Sequence, residues 1–244
     1  MTVPSSVLTG VRSLLESGAG QTPAIRSATP VGGGCINPSA RLEAEFGCSF
    51  FLKWNDSAPA GMFEADADGL RALAAPGALR VPEVLGWGGS GTPGEPGWLL
   101  LEFVPRGSAG GDYGRRLGKG LAHLHDSGTV RPPGDTRKDP GGPSFGWHRS
   151  NFIGSLPQGN REGGSWAVFW RDARLGPQLE RARELGYFGG GDGRTLDLLL
   201  SRMEDILPPH GGQGPALLHG DLWSGNYYPD PAGAPVLIDP AVYR

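Results

Sequence analysis

The stretch that most limits what this chain can fold into is LLHGDLWSGN, Leu217 to Asn226, followed closely by VLIDPA at Val236 to Ala241. Asp221 lies five residues before Asn226, and Asp239 thirteen after it. Leu217 and Leu218 lead into the first acid, and Val236, Leu237 and Ile238 into the second, so each acid ends a buried, strand-like stretch. The intervening YYPDPAGAP carries the Pro, Asp and Gly of a reversing turn. A hairpin here brings Asp221, Asn226 and Asp239 to one mouth. The plain alternative is a hairpin with polar ends.

The residue types suit phosphoryl transfer. A carboxylate at Asp221 can orient a substrate hydroxyl and accept its proton during attack on a γ-phosphate. Mg2+ takes hard oxygen ligands, and the Asn226 amide with the Asp239 carboxylate supplies them without overfilling its octahedron. Protein kinases carry the same spacing of catalytic Asp, Asn and metal-binding Asp.

With 244 residues the chain can form one large domain or two small lobes. A net charge of -3 points to neither nucleic acid nor an anionic membrane as partner. The 43 Gly and 23 Pro promise long loops, while 38% hydrophobic residues and seven Trp suffice for a packed interior. Cys35 and Cys48 are too few for a disulfide framework, and no signal peptide or long apolar span is visible, so a cytoplasmic protein is expected. The basic residues are nearly all Arg, with Lys only at Lys53, Lys119 and Lys138, which makes each lysine informative.

Helical spacing of Val7, Val11, Leu14 and Leu15 predicts a helix over 5–17, and 25–30 reads as a strand. A glycine run follows, Gly32, Gly33, Gly34 and then Cys35, ahead of the apolar Phe50 to Leu52 and Lys53. Consecutive glycines let backbone N–H groups approach a polyphosphate, and a lysine ending the next strand can reach its phosphates. A flexible turn and a solvated strand end are the alternatives. Residues 62–75 read as a helix with Met62, Phe63, Leu70 and Leu73 on one side. It carries Glu64, Asp66 and Asp68, one of which could hold Lys53; an exposed acidic first turn is the other reading. Strands are expected over 81–87 and 98–104, with the lobe boundary near Val104 and Pro105 and the kinase hinge just there.

Residues 113–126 read as a helix with Leu117, Leu121 and Leu124 inward. His123 and His125, two apart, cannot share a face as metal ligands. Residues 128–164 form a long loop holding Phe145, Trp147, Asn151, Phe152, Gln158 and Asn160, a mix of rings and amides that suits a sugar or that pins the loop to the core. Helices follow over 169–186, with Leu175, Leu179, Ala182 and Leu185 as a buried stripe, and over 195–207. His219 reads as scaffold for the loop that follows it.

These segments together resemble the fructosamine kinase family (ketosamine 3-kinases), relatives of the aminoglycoside and choline kinases. The resemblance is carried by GGGCIN at Gly32 to Asn37, FFLKWN at Phe50 to Asn55, MFEADADGL at Met62 to Leu70, FGWHRSNFIGSLPQGN at Phe145 to Asn160, LLHGDLWSGN, and IDPAVY at Ile238 to Tyr243. It implies an α+β, two-lobed, protein-kinase-like fold: an N-lobe over 1–104 with an antiparallel sheet and one main helix, and a mostly helical C-lobe over 105–244. It implies ATP and Mg2+ as cofactors and phosphorylation of the sugar 3-hydroxyl of a ketosamine, free or on a glycated amine or lysine, a step in deglycation. Asp221 would be the base, Asn226 and Asp239 the metal ligands, and Lys53 the phosphate anchor with Asp66 as its partner. Gly32 to Cys35 would cover the nucleotide, and Glu102, Phe103 and Val104 would meet adenine. Trp223, Trp147 and Asn151 would face the sugar. The alternatives are an aminoglycoside- or choline-type phosphotransferase and a non-catalytic nucleotide-binding fragment.

Two departures from the family pattern shape the expectations. Asp66 stands where the family usually has Glu, one methylene longer, so the pair with Lys53 would need a closer helix or a bridging water. The chain stops at Arg244, where relatives continue with further C-terminal helices, and an exposed apolar face with reduced stability is expected. Some members carry a cysteine at the Cys35 position that forms an intermolecular disulfide, which implies a homodimer through Cys35; a small residue tolerated in a turn is the alternative.

Overall fold

A computed structural model describes residues 2–17, 23–32, 36–89, 95–127, 144–189, 191–207 and 214–244. Helix α1 (Ser5–Ser17) precedes strands β1 (Ile25–Pro30), β2 (Ser39–Ala44) and β3 (Ser49–Asn55). Helix α2 (Met62–Ala74) then leads to β4 (Val84–Gly88) and β5 (Gly97–Glu102). The strands form one antiparallel sheet in the order β1-β2-β3-β5-β4.

Strand parity decides what each face of this sheet holds, because successive side chains point to opposite sides. Leu52 and Trp54 of β3, with Trp98 and Leu100 of β5, pack with Val7 and Val11 of α1. Leu99 and Leu101 of β5 pack on the other face with Phe63, Ala67 and Leu70 of α2, joined by Phe51 of β3. Lys53 has the parity of Phe51, so it emerges on the α2 side. Its backbone is fixed by pairing on both flanks, with Ser39 of β2 and Leu99 of β5.

The second half is built on α3 (Tyr113–Asp126), the hairpin β6 (Asn151–Ile153) and β7 (Leu156–Gln158), helices α4 (Trp166–Trp170), α5 (Gly176–Glu184), α6 (Asp192–Ser201) and α7 (Met203–Ile206), and the hairpin β8 (Tyr227–Pro229) and β9 (Pro235–Leu237). Its core joins Leu124, Phe145, Trp147, Phe169, Leu217, Leu237, Val242 and Tyr243 with Ala72 and Leu73 from α2. Thus α2 serves both halves: one edge covers the sheet and its last turn enters the other core. The β8–β9 turn is held by Asp230, whose Oδ1 accepts from the N–H groups of Ala232 (2.9 Å) and Ala234 (2.8 Å).

The structure departs from several sequence expectations. The helix expected over 169–186 is α4 and α5 joined by a π-helical turn, Arg171–Leu175. The extra residue in that turn rotates Arg174 inward, so Arg174 is buried while α5 buries no residue and Leu185 is exposed. The expected stripe of Leu175, Leu179, Ala182 and Leu185 is therefore not a buried one. The helix expected over 195–207 breaks at Arg202 into α6 and α7. Part of the expected 128–164 loop is the β6–β7 hairpin; residues 128–143 lie outside the described set. Leu185, Tyr187, Leu198 and Ile206 of the α5–α7 region are exposed, whereas Leu217 and Leu237, which lead toward Asp221 and Asp239, are fully buried.

Candidate active site

The sheet, α2 and the β8–β9 hairpin meet at a cleft of about 460 Å3. That volume lies in the range of small-molecule sites. Its wall includes Gly32, Lys53, Asp66, Phe103, Val104, Asn151, Asp221, Trp223, Asn226, Tyr228 and Asp239. The hairpin expected from the sequence forms, with Tyr227 opposite Leu237. Asp221 is not on its strands; it sits in the loop before β8, and Leu218 makes a single bridge to Tyr243.

Lys53 is the hub. Its ammonium is buried between two carboxylates, touching Asp66 on α2 and donating to Asp239 Oδ1 at 2.6 Å. Burial alone would lower its pKa, but the two anions more than offset this and hold it above its ordinary value. The effects on the acids are opposite. Burial pushes the Asp66 carboxyl up despite Lys53, and its Oδ1 has no hydrogen-bond partner among the described residues. Asp239 is held low, chiefly by the Lys53 charge. No bridging water is needed for the shorter Asp66 side chain, because α2 comes close. It presents Ala65, Ala67 and Gly69 as buried residues, and a Cβ on Gly69 would stand 3.0 Å from Pro240 Cγ.

All three acids of α2 are engaged, and Glu64, in the first turn, is at the same time exposed, as the alternative reading expected for one of them. Glu64 pairs with Arg149 at 3.0 Å. Asp68 accepts from the Trp147 indole N–H at 2.8 Å and meets His148 at 3.2 Å.

Asp221 and Asn226 are joined within the loop before β8. The Asn226 Nδ2 donates to Asp221 O at 2.9 Å and Asp221 Oδ2 at 3.1 Å. The amide oxygen is thereby left as the group that Asn226 offers the cleft. His219 is buried and accepts the Asp221 N–H at Nδ1 (3.3 Å), which leaves its Nε2–H to donate to Ile238 O at 2.9 Å. Burial lowers its pKa, consistent with a neutral scaffold ring that ties the loop to the Asp239 strand end. Gly220, between them, has φ 83, and a Cβ there would lie 1.9 Å from Ala241 O. Only glycine fits.

At the other end of the cleft, Phe103 and Val104 line the wall. The Val104 carbonyl accepts from the Tyr228 hydroxyl at 3.0 Å. Burial pushes that phenol up to about 12, so it stays a donor at neutral pH. Glu102 does not line the cleft; its carboxylate pairs with Arg80 at 2.5 Å on the outside. Any contact it makes to a base falls to its backbone. Sequence reading missed Tyr228, whose place two residues after Asn226 in an apolar strand was the available signal.

The sugar-facing expectations divide. Trp223 is 52% exposed at the rim of the cleft. Trp147 is buried in the core with its N–H spent on Asp68, so it is not a wall of the cleft. Asn151 touches the cleft, but its amide donates to Val242 O (2.8 Å) and accepts from Gln158 (2.9 Å). Gly33, Gly34 and Cys35 lie outside the described residues, and Gly32 lines the cleft.

The donor set fits a magnesium ion shared with phosphates. Among the described residues no three His, Cys, Asp or Glu side chains gather to hold a metal unaided. One carboxylate and one amide oxygen match a site that phosphate oxygens complete.

A sheet of five antiparallel strands with one main helix, set over the loop of Asp221 and Asn226 and the acid Asp239, defines a protein-kinase-like fold. The comparisons narrow it. The fructosamine kinase family model matches residues 8–244, and the chain belongs to that family. It is 36% identical over 224 residues to a probable ketoamine kinase of Synechocystis sp., covering 92% of this chain and 69% of that protein. It is 35% identical over 226 residues to a chloroplastic protein-ribulosamine 3-kinase of Oryza sativa subsp. indica, covering 92% of this chain and 60% of that one. A solved Thermobifida fusca structure assigned as a fructosamine-3-kinase superposes with a TM-score of 0.78 at 29% identity, covering 99% of this chain and 75% of that one. The chain thus spans about two thirds of the length of these relatives.

Proposed function

We propose that this protein transfers the γ-phosphate of ATP to the 3-hydroxyl of a ketosamine such as a ribulosamine. One observation carries the reading: Lys53, Asp66 and Asp239 form a contiguous ion group in the cleft that also holds Asp221 and Asn226. The relatives' names favour ketosamines over aminoglycosides or choline as acceptors.

In this reading Mg2+·ATP supplies the activated phosphoryl group, and its metal falls to Asp239 and the Asn226 oxygen. Lys53 would hold the nucleotide phosphates, with Asp66 keeping its ammonium oriented. Val104, its carbonyl taken by Tyr228, would have its N–H left for adenine, in a part of the cleft that Tyr228 also lines. Asp221 orients the sugar hydroxyl and accepts its proton; Asn226 fixes that carboxylate by donating to Oδ2. Trp223 gives the sugar an apolar wall. Gly32 to Cys35 would cover the phosphates. The two-cysteine sequence and the need for ATP fit a cytoplasmic setting, and among the described residues no helix is long and apolar enough to cross a membrane.

The test is phosphate transfer from ATP to a panel of ribulosamines, fructosamines, an aminoglycoside and choline, on the parent and Asp221→Asn. Transfer to ketosamines that falls at least about 100-fold in Asp221→Asn is expected. Binding of Mg2+·ATP with no transfer to any acceptor would select a nucleotide-binding role instead.

A further inference from the structure

Asn151 and Phe152 of the 145–160 segment line the cleft, but the polar atoms of Trp147, Asn151 and Gln158 are spent on bonds within the protein. The segment's bonds run to two places. The first is α2: Trp147 Nε1 donates to Asp68 at 2.8 Å, His148 lies 3.2 Å from the same carboxylate, and Arg149 pairs with Glu64 at 3.0 Å. Glu64 and Asp68 flank Asp66, so both neighbours of the Lys53 partner on its helix are tied down.

The second is the chain just after Asp239. Asn151 donates to Val242 O at 2.8 Å, and Gln158 to Ala241 O at 3.3 Å. Gly146 and Arg244 exchange backbone bonds of 2.5 and 2.9 Å. Asn151 and Gln158 are both buried and bond to each other. Asp239 itself sits in a left-handed conformation, φ 52. A non-glycine residue there needs its surroundings to hold it. On the opposite side the same segment is held by His219, whose backbone carbonyl accepts from Ala241 N at 2.9 Å.

We propose that Trp147, Gln158 and their partners in the 145–160 segment form a positioning brace that sets the spacing of Asp66 and Asp239 about Lys53, and so tunes the affinity for metal-bound nucleotide. This rests on the reading of Asp239 as metal ligand. Trp147, Gln158 and Asp68 are positioning residues in this sense. Outer partners that orient a metal ligand typically contribute 10–100-fold to metal affinity.

The experiment is calorimetric binding of Mn2+·ADP and of metal-free ADP to Gln158→Met, Asp68→Leu, Asp68→Asn and Asp239→Asn, with thermal melting and the KM for a ribulosamine alongside. Gln158→Met and Asp68→Leu are expected to weaken Mn2+·ADP by at least about tenfold, with metal-free ADP and ribulosamine KM changed less than about twofold. Asp68→Asn, which keeps an acceptor for the indole, should retain most of the parent affinity. Unchanged Mn2+·ADP binding in folded Gln158→Met and Asp68→Leu, with Asp239→Asn weakened, overturns the brace alone. A rise confined to the ribulosamine KM also overturns it, by returning these residues to the sugar. Unchanged binding in Asp239→Asn as well overturns the phosphotransfer reading and the brace with it. Should Gln158→Met not fold, the Asp68 pair decides on the same measurements, since Asp68 is partly exposed on a helix surface.

Discussion

Lys53 is the residue on which most of the site's electrostatics turn. Replacing it with Met leaves Asp66 buried without its cation, and breaking a buried pair in this way costs on the order of 3 kcal/mol. The loss should be smaller at pH 5 than at pH 8, because Asp66, already pushed up by burial, can then take a proton. Urea melts at the two pH values check this. Histidine 219 gives a second pH signature. Its folded pKa lies below its unfolded value, so its contribution is fully present above about pH 6.5 and is lost on acidification, when the unfolded chain takes up the proton more readily. His219→Leu should remove that part of the stability slope between pH 7 and 5.5. At Gly220, alanine would need both a left-handed backbone and a Cβ inside van der Waals range of the Ala241 carbonyl. A loss of at least about 3 kcal/mol is expected, read as a lowered denaturant midpoint.

Helix α2 shows what sequence reading reaches at the level of elements and where it stops. Its span was legible from Met62, Phe63, Leu70 and Leu73, and that of α1 from its periodicity in the same way. The loop that holds Asp221 and Asn226 and the acid after β9 were visible as a group because a fixed spacing of Asp, Asn and Asp needs no long-range information. What was hidden is which partner each polar side chain finds. Trp147 and Asn151 have the composition of a sugar pocket, and only the fold shows that their polar atoms are already bonded to Asp68 and Val242. The π-helical turn at Arg171–Leu175 was hidden for a related reason: one inserted residue shifts the phase of every later position without changing composition. The close approach of α2 to Pro240 yields a prediction of its own. Gly69→Val should push the helix off the Asp239 segment and raise the KM for ATP several-fold, while Gly69→Ala, which gains roughly 1 kcal/mol of helix propensity against a 3.0 Å contact, should stay near the parent in stability.

For the whole molecule, the Lys53 pairs and the α2 latches join sheet and helical half across the cleft. A ligand that bridges the two halves should therefore stabilise both at once. Saturating Mg2+·ADP at about 100 times its Kd corresponds to about 2.7 kcal/mol, and for a chain of this size to a rise in Tm of roughly 5–10 °C. Asp239→Asn should abolish most of that rise, and EDTA should reverse it in the parent.

The backbone at Asp239, left-handed at φ 52, restricts which sequences this position can explore. Glycine and asparagine are the replacements such a turn welcomes, and both discard the negative charge. Glutamate keeps the charge but resists the turn. On the proposed metal role of Asp239, a library of all residues at 239 should give folded but silent Gly and Asn members, and a Glu member that loses stability, read by thermal melting beside phosphate transfer.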